Sequence, residues 1–228
     1  MATAPHDHTD TRFDAELARL DADIQRMGTL ALAQLDAAMA ATLARDSAAA
    51  TRIVQDDAAI DAIEDDIGEA AVRLLALHQP MARDLRAILA ALRIAGAIER
   101  IGDYAANVAK RSLVLNRTAP VHLAGSLPPL GAFAADLARE ALAALRERDV
   151  ARAIAVWNRD EELDQRHTRL FRELLTWMME DPRTISACTH LLFMAKNIER
   201  IGDHATAIAA NVHFLVLGTH PAPRPKGG

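Results

Sequence analysis

The hexapeptide Ile98-Glu99-Arg100-Ile101-Gly102-Asp103 recurs without change as Ile198-Glu199-Arg200-Ile201-Gly202-Asp203. The match spreads outward through Leu92/Leu192, Ala95/Ala195, Ala105/Ala205 and Ala109/Ala209. Upstream, Asp57-Ala-Ala-Ile-Asp61 corresponds to Asp160-Glu-Glu-Leu-Asp164, and Arg45-Asp46 to Arg148-Asp149. A chain with this self-similarity is two related units in tandem, so its fold must be one that can be built twice. The apolar residues, 51% of the chain, are mostly Ala, Leu and Ile, with only 4% aromatics, which excludes an all-β sandwich. Their spacing is helical. Leu17, Leu20, Ile24, Met27, Leu35 and Met39 mark a first helix, and Ile53, Ile60, Ile63, Ile67 and Leu74 a second from about Ala48 to Leu77. Pro80 is placed in the first turn of a third helix from about Met81 to Leu115.

The predicted fold is therefore all-α, two related three-helix units in tandem. Residues 1–12 are expected to be a disordered start, 13–115 the first unit and 116–129 a linker rich in proline. Residues 130–217 form the second unit and 218–228 a disordered tail. A net charge of −5 and a pI near 6.0 argue against a nucleic-acid partner, which needs a clustered basic surface. No run of about 18 consecutive apolar residues occurs, so no membrane span is expected. The single cysteine, Cys188, and a start without an apolar leader point to a cytoplasmic location.

The candidate chemistry lies in carboxylates. Residues four apart stack on one helical face, so Asp57/Asp61, Glu99/Asp103, Asp160/Asp164 and Glu199/Asp203 are like-charged pairs. Each costs its helix about 0.2–0.5 kcal/mol unless a cation sits between them. Acidic pairs at this spacing are common, and the chain has eight, so the repeated register of these four is what singles them out. The alternative is a solvated acidic face inherited from duplication. Glu64 and its counterpart His167 lie on the same strips, and His204 adjoins Asp203; these are possible additional ligands. Oxygen donors without thiolates suit Mg, Mn or Fe, with Zn admitted if His167 takes part. Gly102 and Gly202, each about 1 kcal/mol worse than Ala in a helix, imply tight helix packing, room for ions, or both. Helix three is also apolar on a second side, where Leu85, Ile88, Leu89 and Leu92, with Arg86 beside them, offer a surface for the second unit, a partner or a second copy. No phosphate loop, GxSxG, HExxH or paired cysteine is present.

The doubled ERIGD motif, Pro80-Met-Ala82-Arg-Asp84-Leu85-Arg86 and the paired Asp-x-x-x-Asp segments resemble the PhoU family of phosphate-signalling proteins, from about Phe13 to Leu217. The resemblance implies two three-helix bundles related by approximate twofold symmetry, in a cytoplasmic homodimer without catalytic activity. It also implies a negative regulator of the phosphate-starvation response that couples the ATPase of a phosphate transporter to a sensor histidine kinase. Metal clusters on Asp57, Asp61, Glu99 and Asp103, and on Asp160, Asp164, Glu199 and Asp203, are implied as well. The PxAxDLR stretch has no second copy, since Pro182-Arg-Thr-Ile-Ser186 stands in its place. The alternatives are a metal-free helical adaptor and a ferritin-like carboxylate enzyme; the latter wants two Glu-x-x-His segments where this chain has one Asp164-x-x-His167.

Overall fold

A computed structural model describes residues 6–118 and 126–222. The described residues form seven α-helices and no strand: α1 His6–Ala44, α2 Ser47–Asp56, α3 Ala58–His78, α4 Arg83–Leu115, α5 Leu127–Glu147, α6 Val150–Glu180 and α7 Ile185–Leu217. A 3-10 turn, Pro182–Thr184, precedes α7. The first unit is α1–α4 and the second α5–α7.

Several boundaries differ from the sequence-based expectation. Helix α1 begins at His6, so the expected disordered start is helical from that residue, while residues 1–5 lie outside the described residues. Of the expected linker, residues 119–125 lie outside the described residues and Leu127–Pro129 already belong to α5, because proline is tolerated in a first helical turn. The expected tail is non-helical from Gly218 to Ala222, and residues 223–228 lie outside the described residues. The expected second helix is two, interrupted at Asp57, where the amide of Ile60 bonds to the carbonyl three residues back. Pro80 does not open the third helix. Gln79 ends α3 in a left-handed conformation (φ 46°) and Ala82 (φ 49°) precedes α4, so the chain turns twice before Arg83.

The duplicated Arg-Asp turns do the same job in both units. Arg45 (φ 53°) and Arg148 (φ 54°) are left-handed residues closing α1 and α5. Asp46 and Asp149 then cap the next helix by accepting from the amides of Ala49 and Arg152. Arg45 in addition donates to the carbonyls of Leu115 and Thr118, tying the end of α4 to this corner.

Two antiparallel pairs join the units. In the central pair, Arg93, Tyr104 and Arg111 of α4 meet Phe214, Arg200 and Phe193 of α7. Beneath it, α1 crosses α5 with a contact that each unit makes on the other. A Cβ on Gly28 would lie 2.8 Å from the Leu142 side chain, and one on the equivalent Gly131 2.7 Å from Met39. Helices α2 and α3 flank α4, and α6 flanks α7. One continuous core results, holding Leu20, Met27 and Leu35 of α1, Ile94, Ile98 and Ile101 of α4, and Met194, Ile198 and Ile201 of α7. Arg12–Ala44 is the one described segment long and apolar enough to cross a membrane; half of its most apolar stretch is buried in this core.

The surface expected along helix three divides. Ile88 is wholly buried, and Arg86 donates from Nε to the Leu215 carbonyl at 3.1 Å, capping α7 from α4. Ile88 is thus a core residue and Arg86 a tie between the units, the intramolecular use of this strip. Leu92 packs against the core, whereas Leu85 and Leu89 are exposed.

Candidate functional site

Two carboxylate clusters lie on the outer flanks of the central pair, one against each unit's own middle helix. In the first, α3 brings Asp61 and Glu64, with Asp57 at its start, to Glu99 and Asp103 of α4. Burial raises the pKa of Glu99 to about 7, aided by repulsion from Asp103, Glu64 and Asp61 and opposed by Arg100. Asp57 is also raised, first by burial and then by Asp103 and Asp61, against a lowering hydrogen bond from Gln34. Gln34 Nε2 donates to Asp57 Oδ1 at 2.7 Å and to the Gly102 carbonyl at 3.0 Å, linking α1 to both sides of the cluster.

In the second cluster, Asp203 faces Glu199, Asp160 and Asp164; burial and their repulsion raise it to about 6. His167 belongs here. Burial lowers its pKa and Lys196 lowers it further, while Glu199 and Asp164 act in the opposite direction. The clusters are unequal in chemistry: where Gln34 stands in the first unit, the second has the buried Leu137, and Glu64 is replaced by His167.

His204 does not join the second cluster. It lies at the crossing of the central helices, its ring 5.6 Å from that of Tyr104, and its pKa is lowered by burial and by Arg100 and Arg200. The reason is angular: one residue beyond Asp203 is about 100° around the helix.

Both repeated glycines serve close packing. A Cβ on Gly102 would lie 2.8 Å from Ile60 Cδ1 and 3.5 Å from Asp57 Oδ1, and one on Gly202 would collide with the equivalent Leu163. The backbone of α4 can therefore approach α3 closely enough for carboxylates from both to face one another.

Among the described residues, no group of three or more His, Cys, Asp or Glu side chains is arranged around a single ion position. Side-chain cations supply the counter-charge: Arg100 reaches Glu99 at 3.1 Å and Asp103 at 2.9 Å, and Lys196 reaches Glu199 at 2.6 Å. The donor sets nonetheless suit a cation. The first is all oxygen, the second oxygen with one imidazole, and in each a carboxylate is pushed toward neutrality by its neighbours.

Fold and site define a class: helical proteins built from two fused units of three helical arms, the middle arm of the first being α2 and α3, each with a carboxylate cluster beside the helices that join them. The PhoU domain model matches residues 24–112 and again 127–212. The chain belongs to the PhoU family. It is 53% identical over 98% of its length to a phosphate-specific transport system accessory protein PhoU homolog of Xylella fastidiosa (strain 9a5c), covering 94% of that protein. A homolog of the same description from Caulobacter vibrioides (strain NA1000 / CB15N) is 46% identical, with 96% of both chains covered. The crystal structure of PhoU from Pseudomonas aeruginosa matches 91% of this chain and all of its own, with a TM-score of 0.88 at 36% identity. That of the phosphate transport system regulatory protein PhoU from Streptococcus pneumoniae matches 92% of this chain and all of its own, with a TM-score of 0.85 at 27% identity. These accessory and regulatory relatives support a role for the chain in the regulation of phosphate transport.

Proposed function

We propose that the chain is a non-catalytic negative regulator of the phosphate-starvation response. It works at the cytoplasmic side as a homodimer and conveys the state of a phosphate transporter, through its ATPase, to a sensor histidine kinase. The observation that carries this reading is the similarity, over nearly the whole chain, to proteins described as accessory to phosphate transport. Contact is the means of action, a reading supported by the accessory role named for its relatives. The exposed Leu85 and Leu89 of α4, with Ile185 at the equivalent position of α7, are the apolar residues offered to a second copy.

Metal is part of the proposal. Asp57, Asp61, Glu64, Glu99 and Asp103 would hold one group of ions, and Asp160, Asp164, His167, Glu199 and Asp203 another. Bound cations of the Fe, Mn, Mg or Zn type would supply positive charge where carboxylates from two helices repel. The chain's own residues position those carboxylates: Gln34 orients Asp57, and the glycines bring α3 to α4 and α6 to α7. The second reading, a metal-free adaptor, is favoured by Arg100 and Lys196, which already neutralise part of each cluster.

Deleting the gene should leave starvation genes expressed in phosphate-rich medium, and the wild-type copy should restore repression. Elemental analysis of untagged protein purified without chelator separates metal-bound from metal-free readings. A Glu99→Gln/Asp103→Asn variant that represses normally while its first cluster holds no ion makes the metal incidental.

A further inference from the structure

Among the described residues no further helix packs on the face of the α4/α7 pair turned away from α1 and α5; at one end of it the chain's own His220 stacks on Phe214 at 4.9 Å and lies 3.5 Å from Arg93. Helix α4 packs on α7, α1, α2 and α3, and α7 on α4, α5 and α6, which leaves one side of the seam open. On α4 this side carries Arg93, Arg100, Tyr104 and Arg111, spaced seven, eleven and eighteen residues from the first. At about 100° per residue they fall within about 20° of a common line. Phe193, Arg200 and His204 form the matching line on α7, and the two interleave. Arg93 stands over Phe214 at 5.5 Å, Arg200 over Tyr104 at 5.6 Å and Arg111 over Phe193 at 4.5 Å. Arg93, Arg100 and Arg200 are exposed, and Phe193 is half exposed. In a chain of net charge −5, the three ring-stacked guanidiniums of Arg93, Arg111 and Arg200 are thus gathered on one strip about 27 Å long that crosses both units, with Arg100 at its edge paired to Glu99 and Asp103.

We propose that this strip is a docking groove for an acidic amphipathic helix of a partner protein. Two antiparallel helices leave a shallow furrow that a third helix can enter, and the arginine spacing repeats along one face of such a helix. Guanidiniums already resting on rings lose little freedom when they pair with a carboxylate. The charge pattern selects against nucleic acid. The furrow is bordered by the two carboxylate clusters, and a phosphate backbone, with about one charge per 1.7 Å in duplex DNA, would meet both borders. A helix with a few glutamates in register with the arginines addresses the centre alone. The groove is a surface for the contact signalling proposed above and rests on that reading.

The test uses the full-length protein and a fluorescein-labelled Ala/Glu peptide whose glutamates repeat the spacing of Arg93, Arg100, Tyr104 and Arg111. A scrambled peptide of equal composition is the control. Anisotropy at low salt should show binding that weakens as salt rises, at least about tenfold tighter than for the scrambled peptide and lost at least about tenfold in an Arg93→Gln/Arg111→Gln/Arg200→Gln variant of unchanged helicity. A charge-reversed Arg93→Glu/Arg111→Glu protein should prefer the lysine version of the peptide, which keeps the test open if the triple variant folds poorly. Equal binding of the scrambled peptide, indifference to both variants, or tighter binding of single-stranded DNA or polyphosphate at the same site would overturn the proposal. In cells the outcomes separate. If deletion causes no derepression, the regulatory reading fails; if deletion derepresses and the triple variant represses like wild type, the groove fails alone.

Discussion

Gly202→Ala sets two effects of known size against each other. Intrinsic helix propensity favours Ala over Gly by about 1 kcal/mol, and position 202 is in the middle of α7. The added methyl, however, falls on Leu163 of α6, a side chain with 0% exposure that has no free space to retreat into. Overpacking of this kind costs about 1–3 kcal/mol, so the net change should be a destabilisation of up to about 2 kcal/mol. Gly68 in α3 supplies the control, since a Cβ there meets nothing within 4 Å. Gly68→Ala should therefore stabilise by up to about 1 kcal/mol. Leu163→Ala alone should cost about 2–5 kcal/mol through its cavity, and the methyl that Gly202→Ala introduces should fill part of that space. The double variant should then be more stable than the sum of the two singles by about 1 kcal/mol or more. Urea unfolding followed by far-UV circular dichroism measures all four. Equal stabilisation by Gly202→Ala and Gly68→Ala, or strict additivity in the cycle, would refute the close α6/α7 contact on which the site geometry depends.

With its pKa raised to about 7 and its side chain only 15% exposed, Glu99 takes up its proton more tightly in the folded chain than in the unfolded one. The corresponding stability is complete below about pH 4.5 and lost as pH rises through 7, so Glu99→Gln should stabilise chelator-treated protein by about 1–3 kcal/mol above pH 7 and leave it unchanged near pH 4. Thermal melts at both pH values check this, and equal shifts at both would contradict it. Gln34→Leu, which copies Leu137, removes the donor to buried Asp57 and should cost about 1–3 kcal/mol at neutral pH, measured by denaturant midpoint. Asp46→Ala and Asp149→Ala each delete an N-cap and should each cost about 1 kcal/mol; a loss confined to one would mean that the duplicated turns are not equivalent.

The sequence by itself determined what depends on local periodicity and on duplication. The apolar spacing dictates helices, and two copies of ERIGD dictate two units and put a Glu/Asp pair on one face of each joining helix. The pairing of those faces with Asp57/Asp61 and Asp160/Asp164 was implied only by the family resemblance, because duplication makes the two units equivalent without saying which helix faces meet. Gly28 and Gly131 were visible in principle, being 103 residues apart like the other matched positions of their helices, but nothing local distinguishes a glycine at a crossing from one in open solvent, such as Gly68. Tertiary structure alone decided which of two apolar sides of α4 would be covered, burying Ile88 and setting Arg86 on the Leu215 carbonyl. It also separated His204 from Asp203, since adjacent residues on a helix point in different directions and only the docking of α4 on α7 says what each will face. The arginine strip has the same origin. Its residues are scattered over more than a hundred positions of the chain and become neighbours through the antiparallel crossing of two helices whose order in sequence carries no information about their distance in space.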